Sequence, residues 1–278
     1  MWTNAAWPGR SIPKTTLKGG ELAAYAELVS AVEGNTTFYA LPTVDVAQRW
    51  AESTPVDFRF MFKFPKSVTH DRKLRNCADE VFEFFTVLEP CLAKMHPIAI
   101  QLPASFGLDS LDVLDTFLRS VPDTVRYGVE VRHLDFFDGG NGERKINDLL
   151  AVHGAERIIL DSRAVFAGPR VTPAEHEAFE NKPRLPVRAV AIGDTPVIRF
   201  IGQTDPAGNP EYWAPWVITV ARWLEDGRSP IVFIHTPDNA AAIDLARQFY
   251  DEVRDVVPSL PPQRPAPQLA EPNLFDIP

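Results

Sequence analysis

Ionisable and amide side chains recur at the C-terminal ends of short apolar runs. Glu33 lies in AVEGN, Lys63 ends FRFMFK and Gln101 ends IAIQ. Glu130, Arg132 and His133 stand together in YGVEVRH, Asp161 ends RIILD, Arg199 lies in VIRF and His235 ends IVFIH. Charged side chains are almost never buried alone. A charge set repeatedly at the end of an apolar strand therefore predicts one shared mouth where the strand ends meet, which is the layout of a (β/α)8 barrel active site.

The residue types suit acid–base and anion chemistry. Glu33 and Asn35 share one side of a strand by period two, with Tyr39 just beyond. Glu33 reads as a general base or ligand anchor, or as the partner of a neighbouring cation such as Arg199. Lys63, flanked by phenylalanines, must reach water or meet an anion. It reads as an anion-binding cation, as a Schiff-base nucleophile, or as a salt-bridge partner of Glu33 or Glu130. Glu33 and Glu130 are the candidate acid and base. Glu130 and Arg132 face the same way and can set a carboxylate and a guanidinium beside one ligand, or brace the barrel as a pair. Gln101 and Asp161 would orient hydroxyls or a water, Arg199 would clamp an anion, and His235 would shuttle a proton or ligate a metal. A basic stretch of Lys66, His70, Arg72, Lys73 and Arg75, opposed only by Asp71, suits a phosphorylated molecule or a nucleic-acid backbone. Within it His70 is the site candidate and the other charges read as a solvated loop.

Eight strands can position these groups, roughly at 1–7, 31–37, 58–64, 98–102, 127–131, 157–161, 197–201 and 231–235. The later six are continuously apolar, as in a parallel sheet buried on both faces. Helical patterns alternate with them over 17–30, 43–52, 79–92, 109–120, 145–152, 211–225 and 238–253, the α/β signature. Residues 162–196 break the rhythm with five prolines and one short helix near 173–179. This connection reads either as a lid over the mouth or as a surface excursion.

The 278 residues divide into a barrel over 1–257 and a proline-rich extended tail over 258–278. The net charge of −9 argues against broad attraction to nucleic acid or anionic membrane. Two cysteines are too few for a disulfide scaffold or a cysteine zinc site, so a cytoplasmic home is expected. No apolar run approaches a membrane span, and no leader is evident. No cofactor is expected. Glu33, Glu130, Asp161 and His235 could gather a divalent metal, but Lys63, Arg132 and Arg199 would repel it. The tail's Leu274–Phe275 pair resembles peptides that dock on sliding clamps, with Glu271 where those carry glutamine.

The stretches VEGNTTFYALPTVDVAQRW, FRFMFKFPKSVTH, IQLPASF, YGVEVRH, VIRFIG and FIHTPDNA resemble, in order, the YecE-like family of bacterial and archaeal proteins. The resemblance implies a TIM-barrel-like fold and supplies no reaction. Two features depart from it. The chain starts almost at the Trp7–Gly9 turn, so the first strand is expected to be truncated or irregular, and Ile234–His235 stand where relatives carry paired asparagines. The expectation is thus a single parallel (β/α)8 barrel acting by acid–base chemistry on a small anionic, phosphorylated or polyhydroxylated substrate. The alternatives are a nucleic-acid-binding or endonuclease-like barrel and a non-catalytic ligand-binding barrel.

Overall fold

A computed structural model of the chain describes residues 2–16 and 18–265. Seven strands form its frame among the described residues: β1 (Ala31–Gly34), β2 (Arg59–Phe62), β3 (Ile98–Gln101), β4 (Tyr127–Glu130), β5 (Glu156–Asp161), β6 (Val197–Ile201) and β7 (Ile231–His235). β1 pairs with β2, and β3 to β7 pair in chain order, every pair parallel. Isolated bridges from Phe60 to Met95 and from Lys63 to Ala99 lay β2 beside β3. Helices fill the connections: α1 (Glu21–Ala26) before β1, α2 (Thr36–Tyr39) and α3 (Val44–Glu52) after it, and α4 (Ala78–Leu88) after β2. α5 (Leu111–Ser120), α6 (Asn141–Val152), α7 (Arg163–Ala167), α8 (Pro173–Asn181), α9 (Pro210–Glu225) and α10 (Ala242–Val256) follow in turn.

Period-two alternation sorts each strand into an inner and an outer face. Ala31, Met61, Ala99, Ile158, Val197, Ile231 and Phe233 form one inner apolar cluster drawn from six strands, so the sheet curls upon itself. At Gly128 a Cβ would lie 2.8 Å from Ile158 Cγ1, so Ile158 occupies the space that a β4 side chain would fill in this layer. The outer faces pack on helices. Phe60 and Phe62 stack at 5.1 Å between ring centroids, and Trp50 of α3 stacks on Phe62 at 5.7 Å. Each fully buried phenylalanine contributes about 1.5–3 kcal/mol. Gly34 is required by the same packing, because a Cβ there would sit 2.4 Å from the Phe62 ring.

The eighth strand, expected over residues 1–7, is not formed by residues 2–7. The chain turns there, with the Trp7 carbonyl accepting from the N–H groups of Arg10, Ser11 and Ile12. Trp7 stacks on Tyr25 and donates Nε1–H to the Asn239 carbonyl at 3.0 Å. TNAAWPG offers no β-branched run to sustain a strand, and Pro8–Gly9 favours the turn. A closed eight-stranded barrel is therefore not what the described residues build. β1 and β7 each have one strand partner, and a cavity of about 530 Å3 lies along their seam. The strand expected over 31–37 also stops early, at Gly34, where α2 begins.

The connection between β5 and β6 is anchored rather than loose. Thr172 and Glu175 form a capping box at α8. Beyond α8, Ser162 Oγ donates to the Pro183 carbonyl at 2.8 Å, Leu185 packs with Leu160, Val165 and Ile201, and Arg188 binds Glu143 at 3.0 Å. Residues 258–265 lack regular structure and lie along α10: Tyr250 donates to the Pro261 carbonyl and Gln263 to the Arg247 carbonyl. Glu271, Leu274 and Phe275 lie outside the described residues. No helix among the described residues is long and apolar enough to cross a membrane.

Candidate functional site

One residue beyond the apolar cluster on each inner face, the alternation raises a polar layer. Glu33 comes from β1, Gln101 from β3, Glu130 from β4, Arg199 from β6 and His235 from β7, with Lys63 just past β2. β5 is the exception, for its inner residue at this level is Leu160, packed with Val165 and Ile201. The structure brings these six sequence-predicted residues together in one hydrogen-bonded layer.

Arg199 organises the layer. Its Nε and Nη2 donate to the two oxygens of Glu33, both at 2.7 Å, and its Nη1 donates to Glu130 Oε2. Lys63 Nζ binds Glu33 Oε1 at 2.8 Å and donates to Gln101 Oε1 at 3.0 Å. Arg132 directs Nε and Nη2 to Glu130 Oε1 at 2.9 and 2.8 Å. His235 Nε2 lies 3.0 Å from Glu33 Oε2.

Burial alone would raise both carboxyl groups, but the cations outweigh it. Arg199, Lys63 and His235 hold Glu33 well below the ordinary carboxylate range, and Arg199, Arg132 and Lys63 hold Glu130 down at about 2. Burial and then the Arg199 guanidinium push Lys63 downward, against the pull of Glu33 and Glu130. Burial likewise pushes His235 down, against Glu33. A carboxylate can only accept, so His235 Nε2 carries the ring proton and Nδ1 the lone pair. That Nδ1 makes no hydrogen bond among the described residues.

The remaining candidates are placed differently. Asp161 shares parity with Ile159 and faces α9, not the mouth: its oxygens accept from Trp216 Nε1 at 2.7 Å and from Arg163. His133 caps the turn at Leu134–Phe137, its Nδ1 accepting from the Asp135 N–H. Tyr39 is 81% exposed and touches Phe38 by its ring edge. Asn35 immediately precedes α2, and its side chain makes no hydrogen bond among the described residues. His70 stands in a π turn at Ser67–Asp71, with Nδ1 on Thr69 Oγ1 and its ring against Phe38. Burial first, then Arg132 and Lys66, lower its pKa. In the basic stretch Lys66 pairs with Asp71 and Arg72 with Glu80. Among the described residues no group of three or more His, Cys, Asp or Glu is gathered to hold a metal.

One contributor was not legible in the sequence. Buried Thr37 of α2 uses Oγ1 to donate to the Lys63 carbonyl at 2.8 Å and to accept from the Lys63 N–H at 3.2 Å, fixing the lysine's backbone.

A curled parallel α/β sheet with a buried polar layer at its strand ends defines the class. The chain belongs to the DUF72 family, whose model, described as a protein of unknown function, matches residues 1–269. It is 40% identical over 260 residues to the UPF0759 protein YecE of Escherichia coli K12, covering 94% of this chain and 93% of that protein. Among solved structures it is similar in fold to a DUF72 family protein from Thermotoga maritima, with a TM-score of 0.65, 21% identity, and coverage of 91% and 96% of the two chains. A DUF72 family protein from Enterococcus faecalis gives a TM-score of 0.63 at 16% identity, covering 86% and 94%.

Proposed function

We propose that the mouth binds a small anionic molecule, phosphorylated or polyhydroxylated, and acts on it by acid–base chemistry. The observation that carries this reading is the balance of the polar layer: Lys63, Arg132 and Arg199 outnumber Glu33 and Glu130, and Arg132 Nη1 has no partner among the described residues. A guanidinium edge left free beside water is a donor suited to a carboxylate or phosphate oxygen. The Asn35 amide offers hydrogen bonds to a hydroxyl.

Proton transfer falls to His235. A neutral imidazole with its tautomer fixed by a carboxylate and an Nδ1 that makes no hydrogen bond among the described residues is arranged as a general base. Glu33 orients it. Glu33 and Glu130 remain ionised near neutral pH, so neither is the proton donor, and both serve as fixed counter-ions that aim the cations.

A thermal-shift series with phosphosugars, polyols and nucleotides tests this. Ligand at a hundredfold over its Kd stabilises by about 2.7 kcal/mol, a readily measured rise in Tm. The wild type is expected to respond to phosphorylated members, Arg132→Ala to lose the response, and His235→Gln to keep binding while losing turnover. A wild type that responds to no anionic member overturns the reading.

A further inference from the structure

We infer that Lys63 Nζ is a covalent site for the carbonyl carbon of an aldehyde or ketone that enters the mouth. This rests on the mouth being a ligand site, as proposed above, and names the atom of the ligand that is acted upon.

Lys63 is fixed from the backbone outward. It follows β2 directly, Thr37 Oγ1 holds both its carbonyl and its N–H, and the Phe64 N–H donates to the Ala99 carbonyl. The stem then ends on two acceptors, Glu33 Oε1 at 2.8 Å and Gln101 Oε1 at 3.0 Å. An ammonium has three hydrogens, whereas an amine has two and a lone pair. Nζ meets no third acceptor among the described residues, so loss of one proton keeps both hydrogen bonds and leaves the lone pair in the unbonded direction. The neighbours favour that loss. Arg199 Nη2 and Lys63 Nζ share Glu33 Oε1, and of the two cations only the lysine can give up a proton. Arg199 grips both oxygens of Glu33, so the carboxylate stays paired when Lys63 is neutral. Burial first, then Arg199, lower the Lys63 pKa against the pull of Glu33 and Glu130. His235, on the other oxygen of Glu33, is itself pushed toward its neutral form by burial.

The nucleophile decides the ligand class, because a lysine amine adds to a carbonyl carbon. The lone pair forms the C–N bond while the C=O π pair moves to oxygen, which takes a proton. Nitrogen sheds a proton, the C–O bond of the carbinolamine breaks, and the oxygen leaves as water. Counted from the ammonium, the products are one iminium and one water, so no oxidant or co-reactant is consumed and the layer keeps its cation. The iminium draws electrons from the adjacent carbon, and proton removal there is the acid–base step assigned to His235 above.

Trapping on the full wild-type chain tests the assignment. The protein is incubated with dihydroxyacetone phosphate, which joins a ketone to the anion class proposed above, then reduced with borohydride and mapped by peptide mass spectrometry. Hydride turns the iminium into a stable secondary amine. The Lys63 peptide should carry about tenfold or more label over the peptide of exposed Lys145, because a bound carbonyl reacts as though locally concentrated. Reductive methylation with formaldehyde and cyanoborohydride reads the amine without a fitted ligand. Its rate at Lys63 should reach half its plateau at a pH below 10.5, the ordinary lysine value. A half-point at or above 10.5, or a label no richer at Lys63 than at Lys145, overturns the inference. Calorimetric titration with inorganic phosphate separates this outcome from the mouth reading. Phosphate binding without the Lys63 label rejects the nucleophile and leaves the mouth reading, whereas the label without phosphate binding supports the nucleophile and rejects the anion site.

Discussion

Arg199 inside the curled sheet and Arg157 outside it are both buried arginines bound to a glutamate. Their surroundings differ. Arg157, on the outer face of β5, directs Nη1 to Glu143 and Asn147 and Nη2 to the Phe136 carbonyl. Arg188 closes the cluster by binding the second oxygen of Glu143 and the Phe137 carbonyl. These contacts end on backbone carbonyls and hold α6 and the β5–β6 connection to the sheet. The inner network ends instead on groups that make no hydrogen bond among the described residues: Arg132 Nη1, His235 Nδ1 and the Asn35 amide. Burying a charge pair braces a fold in either place. A binding site is marked by what the pairing leaves uncommitted at the edge reached by water.

The largest expected effect treats the two regions alike. Arg199→Met takes from buried Glu33 and Glu130 the guanidinium they share, and Arg157→Met takes from Glu143 one of its two arginines, so each should cost about 3–5 kcal/mol in denaturant unfolding. A loss below about 1 kcal/mol at Arg199 would mean that the inner network does not hold the carboxylates as described. Acid comes next. Glu130 titrates at about 2 in the fold against an ordinary 4.5. Its depressed pKa supplies stability that is complete above about 4.5 and is lost as pH falls toward 2, about 3 kcal/mol over that window. Glu130→Gln should flatten this slope, and an unchanged acid limb in that variant would contradict the assignment. Asp161→Asn should cost about 1–2 kcal/mol through Arg163 and Trp216 and leave anion binding intact. Reduced anion affinity there would return Asp161 to the mouth. The smallest stability effect belongs to Arg132→Ala, about 1 kcal/mol, because Glu130 keeps Arg199 as a partner, although it should weaken phosphate binding by about tenfold or more.

The strand-end spacing made most of the inner layer legible before any coordinates. Lys63, Gln101 and His235 end apolar runs, Glu33, Glu130 and Arg199 lie within them near their C-terminal ends, and period two carries all six to one face. Asp161 ends such a run too, but RIILD is apolar on both faces, so the run alone does not reveal which way its last residue points. Its parity with Arg157, another outward residue, settles that only once the helices are in place. The expected first strand failed for a local reason, since Trp7 is used to pack on Tyr25 and Ile243 rather than to extend a sheet. Thr37 was hidden because tertiary hydrogen bonds to the Lys63 backbone, not periodicity, give it its place.

Calorimetric titration of inorganic phosphate into wild type, Arg132→Ala and Arg188→Ala compares the two networks directly. The account predicts binding by wild type, the same affinity within about twofold for Arg188→Ala, and a loss of about tenfold or more for Arg132→Ala. Equal binding by wild type and Arg132→Ala, or equal losses in both variants, would contradict it.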